Sequence, residues 1–230
     1  MYPITVDIIR TASSRPELLK KSTESLLSSI VCSYPFQHII HEDCLFAEES
    51  EKTASWIKKS NLFDHLIISN PSVGQTVALN KLVTYTFADY VLSWEDDWVA
   101  LRTIDIDLAV KIMEENNDVN QICFHKRRTM KEKPGFVKKE VVRSGVTLVT
   151  NPHWAYLPAL WRMEFVKTWW VPPEGRRSIW YYNDLLKNGE VTDADWVIKK
   201  AGTYYLGKFG EMPFVEHIGA DLSTRKKYLI

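Results

Sequence analysis

Cysteine is scarce. Three residues in 230, Cys32, Cys44 and Cys123, are odd in number and show no paired spacing, so neither a disulfide framework nor a CxxC metal clip can be built from them. A reducing, cytoplasmic setting is expected. Net charge of one sign is lacking too: 29 Lys+Arg balance 29 Asp+Glu. No bulk field is available to hold a polyanion, and nucleic acid is not an expected partner. No window approaches the ~20 apolar residues of a membrane span. The leading MYPITVDIIR has no basic segment and no apolar stretch of about 7–15 residues, so no signal peptide is expected. The nine glycines form neither a GxGxxG after the first strand nor a GxxxxGK[ST] loop anywhere, which disfavours dinucleotide dehydrogenases and P-loop enzymes. Internal repeats and low-complexity linkers are absent as well.

What is present is an ordinary globular balance, 45% hydrophobic and 25% charged residues, which excludes a disordered, collagen-like or coiled-coil chain. Aromatic residues depart from the average, with nine Trp and ten Tyr concentrated towards residues 154–205. Flat rings with a polar edge suit sugar faces and interfaces as well as cores.

Strand and helix patterns alternate through the first hundred residues. Ile4 to Arg10 reads as a buried strand, and Pro16 opens a helix whose Leu19, Leu26, Leu27 and Ile30 share a stripe. The cycle repeats with strands at 36–41, 66–69 and 90–94 and helices at 48–60 and 75–87. Such alternation predicts an α/β fold with a mostly parallel central sheet flanked by helices, Rossmann-like in its first half. A helix over 105–116, a strand over 119–125, a hairpin or loop over 126–150, helices at 158–169, 179–188 and 193–201 and a strand near 212–217 complete the reading. One domain is expected over 1–230.

The most informative residues are Trp94-Glu95-Asp96-Asp97-Trp98 at the end of an apolar strand. Strand alternation puts Glu95 and Asp97 on one face and Asp96 on the other. Two carboxylates roughly 4 Å apart repel by about 4 kcal/mol at an effective dielectric of 20, so an opposite charge must offset them. A divalent cation does so with oxygen ligands, Mn²⁺ or Mg²⁺ being the natural choices. A plain alternative is an acidic turn paired with Arg102.

Three segments appear in order: Thr11-Ala12-Ser13-Ser14-Arg15-Pro16-Glu17-Leu18-Leu19, Asn70-Pro71-Ser72-Val73-Gly74-Gln75-Thr76-Val77-Ala78-Leu79-Asn80 and Glu95-Asp96-Asp97-Trp98. Together they resemble the nucleotide-sugar-dependent glycosyltransferases of the GT-A fold, family-two-like members above all. In those enzymes the third motif is the DXD motif, here with Glu in first position. The resemblance implies residues 1–100 as a donor half and 101–230 as an acceptor and catalytic half. It implies Asp97 as a ligand of Mn²⁺ or Mg²⁺, with Glu95 or Asp96 near the ribose or the metal's waters. Thr11, Ala12, Arg15, Asp43, Gly74 and Asn80 would hold a UDP- or GDP-sugar.

In the second half, Thr192-Asp193-Ala194-Asp195-Trp196 resembles the segment that opens a helix beside the acceptor. Asp195 is then the general base of an inverting transfer to a hydroxyl or glycan acceptor, with Asp193 in reserve. Phe214-Val215-Glu216-His217-Ile218-Gly219 resembles the terminal V-x-H-I-G, in which His217 would complete the metal site or touch the pyrophosphate. Trp154, Trp180 and Trp196 are candidates for stacking on the acceptor. Peripheral membrane or oligomer contact is compatible with all of this. His38, His41, His65, His125 and His153 lack metal spacing and read as structural. Two rival functions remain. A sugar-phosphate nucleotidyltransferase needs a G-x-G-T-R-like turn that is missing here. A non-catalytic carbohydrate-binding protein fits the Trp excess but not the acidic strand end.

Overall fold

The computed structural model describes residues 3–124, 139–151, 154–155, 158–169 and 202–219. The first half is strand and helix in alternation: β1 (Val6–Ala12), α1 (Pro16–Ser29), the short β2 (Ile30–Val31), β3 (His38–Asp43), α2 (Ala47–Ser60), β4 (His65–Ser69), α3 (Gln75–Tyr85) and β5 (Tyr90–Glu95). Then come β6 (Trp98–Ala100), β7 (Ile104–Asp105), α4 (Ile106–Glu115), β8 (Gln121–Cys123), β9 (Glu140–Arg143), β10 (Val146–Asn151), β11 (Ala159–Arg162), α5 (Met163–Trp169), β12 (Thr203–Leu206) and β13 (Val215–His217).

Among the described residues nine strands form one sheet in the order β4-β3-β1-β5-β11-β8-β12-β10-β9. The parallel sheet expected from βα alternation runs across β4-β3-β1-β5, and β8 and β12 are parallel as well. Between these two groups β11 is inserted antiparallel to both β5 and β8. Ile8, Ile9, Ile39, Ile40, Val91 and Leu92 are fully buried on the two faces of the central strands, each burial being worth about 1.5–3 kcal/mol. One core cluster takes residues from both halves, from Val6 and Leu92 to Leu160, Leu206 and Val215. The two halves therefore share sheet and core.

Local chemistry explains the helix ends. In α1, Pro16 sits at the start, Glu17 complements the first-turn dipole, and Leu19, Ser22, Thr23 and Leu26 face inward. In α2, Glu48 and Glu49 open the helix and Lys58 and Lys59 close it, with Asn61 in the left-handed conformation after them. The carboxylate of Asp105 accepts from Leu108 N at 2.9 Å and caps α4.

The second half departs from the sequence reading in identifiable ways. The helix expected over 158–169 is split: Ala159–Arg162 is a strand and only Met163–Trp169 is helical. Ala159, Leu160 and Trp161 are all buried between two strands, and so short an apolar run carries no period to tell strand from helix. β12 was not expected, being a four-residue strand buried at both ends. The expected hairpin is present as β9 and β10, joined through Ser144 (φ 50°) and Gly145 (φ 75°), a pair of positive-φ residues suited to a tight hairpin turn. The helices expected at 179–188 and 193–201 lie outside the described residues. Among the described residues no helix is long and apolar enough to cross a membrane.

Candidate active site

β5 runs to the carboxyl end of the parallel strands and stops at Glu95, one residue beyond the expected strand, so the alternation expected across Glu95, Asp96 and Asp97 does not extend past Glu95. Glu95 turns to one side, its Oε2 accepting from Trp98 Nε1 at 2.8 Å and its Oε1 from Gln75 Nε2. Asp96 and Asp97, in the turn that follows, converge on Arg15. This reverses the expected pairing of Glu95 with Asp97. Burial, then the Asp97 charge, pushes Glu95 up to about 8.

Arg15 occupies the turn between β1 and α1, where Pro16 fixes the helix start. Its Nε donates to Asp96 Oδ2 at 3.0 Å, its Nη2 donates to Asp96 Oδ1, and its Nη1 donates to Asp97 Oδ2 at 2.9 Å. Ser13 N adds a donor to Asp96 Oδ2 at 3.2 Å, and Asp96 N donates to Thr11 O at 3.1 Å. A guanidinium fork on one carboxylate with a third N–H on the next offsets the repulsion that two adjacent acids create. Burial pushes the Asp96 carboxyl up and the Arg15 charge pulls against it. Arg102, the partner offered by the plain sequence reading, is elsewhere: it pairs with Glu211 at 3.1 Å and lies over the Phe214 ring.

Asp97 meets a segment from far along the chain. β13 pairs antiparallel with β6, placing His217 opposite Trp98 with ring centroids 4.8 Å apart. Ile218 N donates to Asp97 O at 2.9 Å. His217 Nε2 is then 3.1 Å from Asp97 Oδ2. Gly219 lies so close that a Cβ built on it would be 2.4 Å from Asp97 Oδ2 and 2.5 Å from Asp97 Cβ. The other oxygen, Asp97 Oδ1, is buried and has no hydrogen-bond partner. A buried carboxylate oxygen without a partner is costly unless something else binds it. Among the described residues no group of three or more His, Cys, Asp or Glu side chains gathers into a metal-binding cluster; Asp97 and His217 are a pair.

Two residues beneath the turn carry signals that pattern reading missed. Arg10 is fully buried, donating to Thr23 Oγ1 at 2.9 Å, Ser22 Oγ at 2.6 Å and Glu95 O at 3.3 Å. Burial lowers its pKa to about 9, with Asp96 and Asp97 holding it up, so it is a second cation under the acids at neutral pH. A charged residue inside an otherwise apolar strand, Ile8-Ile9-Arg10, was the available clue. Glu42, at the end of β3, accepts from Ser14 N at 2.9 Å. Burial raises its carboxyl to about 7. Ser14 itself has φ 53°, and its hydroxyl accepts from Leu45 N and Phe46 N at 3.0 and 3.1 Å, tying the turn after β1 to the turn after β3.

The remaining candidate donor residues line the same end of the sheet. Thr11 and Ala12 end β1, Ala12 being buried. Asp43 uses its carboxylate on the loop before α3, accepting from Ser72 Oγ at 2.7 Å, Val73 N at 2.7 Å and Gly74 N at 3.0 Å. It thus positions that loop. Gly74 has φ 80°, a conformation that favours glycine, with open space where a Cβ would be. Asn80 is half-buried on α3. The structure thus brings Arg15, Asp96, Asp97 and His217 into contact and puts Asp43 and Gly74 together on the neighbouring loop.

Trp154, expected to stack on an acceptor, is instead a core residue. It is 3% exposed and packed between Trp161 and Phe165 at centroid distances of 5.5 and 5.3 Å. Trp180, Asp193, Asp195 and Trp196 lie outside the described residues. The described histidines His38, His41 and His65 are structural as expected, with His38 Nδ1 2.8 Å from Leu62 O, His41 Nε2 2.9 Å from Ser69 Oγ, and His65 edge-on to Tyr85.

No family profile and no curated protein matches the sequence. Solved structures do match the fold. A mannosyltransferase, PcManGT from Pyrobaculum calidifontis, determined with GDP-Man and Mn²⁺, superposes with a TM-score of 0.61 at 12% identity, covering 99% of this chain and 60% of its own. GalNAc-T7, determined with UDP, GalNAc and Mn²⁺, gives a TM-score of 0.65 at 9% identity over 94% of this chain and 44% of its own. S. aureus TarS (residues 1–349), in complex with UDP-GlcNAc, gives 0.56 at 11% identity over 94% and 61%. The fold is the GT-A fold, as the sequence resemblance implied. The chain spans less than two thirds of each of these structures.

Proposed function

We propose that this chain is a metal-dependent glycosyltransferase that moves a sugar from a nucleoside-diphosphate donor to a hydroxyl acceptor. The observation that carries the reading is the buried, unpartnered Oδ1 of Asp97, with His217 Nε2 beside its Oδ2, at the open end of β5 in a GT-A sheet. Oxygen and imidazole nitrogen suit Mn²⁺, with Mg²⁺ the alternative, and a site with two side-chain ligands leaves positions for phosphate oxygens and water. When bound, such an ion supplies Lewis-acid charge that holds the diphosphate and offsets the leaving charge. The named relatives, determined with GDP-Man, UDP or UDP-GlcNAc, support a nucleotide-sugar donor.

The chain's own residues do the rest. Residues 1–100 form the donor half: Thr11, Ala12 and Arg15 offer backbone and guanidinium donors to the nucleotide, and Asp43 fixes the loop carrying Gly74, which leads into α3 and Asn80, against it. Arg10 keeps a positive charge under the acidic turn. Residues 101–230 form the acceptor half of the same domain. There Asp195, with Asp193 in reserve, takes the proton of the acceptor hydroxyl as its oxygen attacks the anomeric carbon and the bond to the diphosphate breaks, an inverting displacement. Trp180 and Trp196 offer stacking faces to a glycan. The cysteine usage supports a cytoplasmic site of action.

Calorimetry with UDP and GDP, with and without Mn²⁺, tests this reading. One nucleotide is expected to bind in a metal-dependent manner, and Asp97→Ala is expected to lose that dependence while keeping its circular dichroism spectrum. Silence from every nucleotide, or metal-dependent binding unaltered in Asp97→Ala, would remove the assignment.

A further inference from the structure

The carboxylate best placed to hold a metal is already engaged by a cation of the chain itself. Arg15 Nη1 lies 2.9 Å from Asp97 Oδ2, the same oxygen that His217 Nε2 approaches to 3.1 Å. The Arg15 guanidinium is no loose surface group: its Nε and Nη2 are both spent on Asp96, whose side chain is 1% exposed, and its own side chain is 18% exposed. Asp97 cannot swing away to free itself, because Gly219 is pressed against its Cβ and Oδ2 and Ile218 N holds its carbonyl. Beneath the turn lies the buried Arg10. Arg15 contacts both aspartates, and Arg10, whose N–H groups go to Thr23, Ser22 and Glu95 O, adds a second positive charge within their electrostatic reach, so two guanidinium charges balance two aspartate charges with no metal in the cluster.

Adding a divalent cation to a balanced cluster leaves it with two surplus positive charges beside two guanidinium groups. A diphosphate carries the compensating negative charge, and the Arg15 Nη1 that leaves Asp97 finds in its oxygens a charged acceptor of the same kind. We infer that Arg15 acts as a resident counter-ion of the Asp97 site, which admits a divalent cation tightly only together with a nucleoside diphosphate that draws the Arg15 Nη1 contact away. The inference rests on the metal-dependent reading above and goes beyond it by assigning Arg15 a positioning role that makes metal and nucleotide binding mutually dependent. By linkage, each ligand raises the affinity for the other by the same factor.

The test is Mn²⁺ binding, read from the free-ion electron paramagnetic resonance signal, for the wild type, Arg15→Gln, Arg15→Lys and Asp97→Ala, each alone and with saturating UDP or GDP. The wild type is expected to bind Mn²⁺ weakly alone and at least roughly tenfold more tightly with the nucleotide. Arg15→Gln removes a like charge a few ångströms from the ion, so it is expected to bind Mn²⁺ alone at least roughly tenfold more tightly than the wild type and to show a smaller nucleotide enhancement. Arg15→Lys, which keeps the charge but not the fork, is expected to stay near the wild type in the metal-only titration. It also serves if Arg15→Gln does not fold, since tight metal-only binding by the wild type or by Arg15→Lys would then overturn the inference. Metal-only affinity of Arg15→Gln within about twofold of the wild type, with Asp97→Ala abolishing binding, overturns the Arg15 role and leaves the metal site standing. Absence of Mn²⁺ binding in every protein, with and without nucleotide, overturns the metal-dependent reading and this inference with it.

Discussion

Gly219→Ala is the sharpest probe of the packing around Asp97. An added Cβ would stand 2.4 Å from Asp97 Oδ2, 2.5 Å from its Cβ and 2.8 Å from its Cγ. Ordinary contacts between such atoms lie at about 3.5–4 Å, so either the Asp97 side chain or residues 217–219 must move by roughly an ångström. Asp97 is held by Arg15 on one oxygen and by Ile218 N through its own carbonyl, so neither movement is free. Overpacking of this kind costs about 1–3 kcal/mol, or a fall in Tm of about 2–12 °C for a chain of this size. A carboxylate misplaced by about an ångström is also expected to lose on the order of a hundredfold in turnover. The assay is thermal unfolding with and without UDP or GDP and Mn²⁺, since ligand-linked stabilisation reads the site and the unliganded Tm reads the fold. The Asp97→Gly background removes the clash partner, so Gly219→Ala should cost little stability there, giving a large coupling in the double-mutant cycle. A Gly219→Ala protein with unaltered Tm and unaltered nucleotide-linked stabilisation would refute the packing argument.

Other expectations concern charge and chemistry. Burial raises Glu42 to about 7 from an ordinary value of 4.5, so its contribution to stability is full below about 4.5, is lost as pH rises towards 7 and is gone above that. Relative to the wild type, Glu42→Gln should therefore gain up to about 3 kcal/mol between pH 4.5 and pH 8 in denaturant midpoints, and parallel profiles would contradict the burial argument. Asp195→Asn should retain nucleotide binding by calorimetry yet lose about 10²-fold or more in transfer; near-normal turnover would pass the base role to Asp193 or point to a retaining mechanism.

The donor half was legible because its signals are redundant. β1, β3 and β5 each carry an apolar stretch bounded by turn residues, and α1 and α2 have end signals of their own. The acidic turn was legible as chemistry but not as geometry. Alternation holds only while the strand lasts, and β5 ends at Glu95, so Asp96 and Asp97 fell together and Glu95 apart. Arg15 was recognised as a site residue but not as the partner of those acids, because no local pattern reports a contact across about 80 positions. Trp154 shows the opposite failure: indole suits a sugar face and a core equally, and only packing against Trp161 and Phe165 distinguishes them. The split of 158–169 into β11 and α5 has the same origin, since burial on both faces erases the period by which strands and helices are told apart.

The ladder between β6 and β13 joins stretches of chain about 120 positions apart and delivers His217 and Gly219 to Asp97. During synthesis, then, the parallel strands and the acidic turn emerge from the ribosome long before the segment that finishes the pocket, and non-local closures of this kind come late in folding. A nascent or truncated polypeptide stopping short of residue 215 would carry the sheet but not the completed centre. Competence is thereby tied to synthesis of the chain through residue 219.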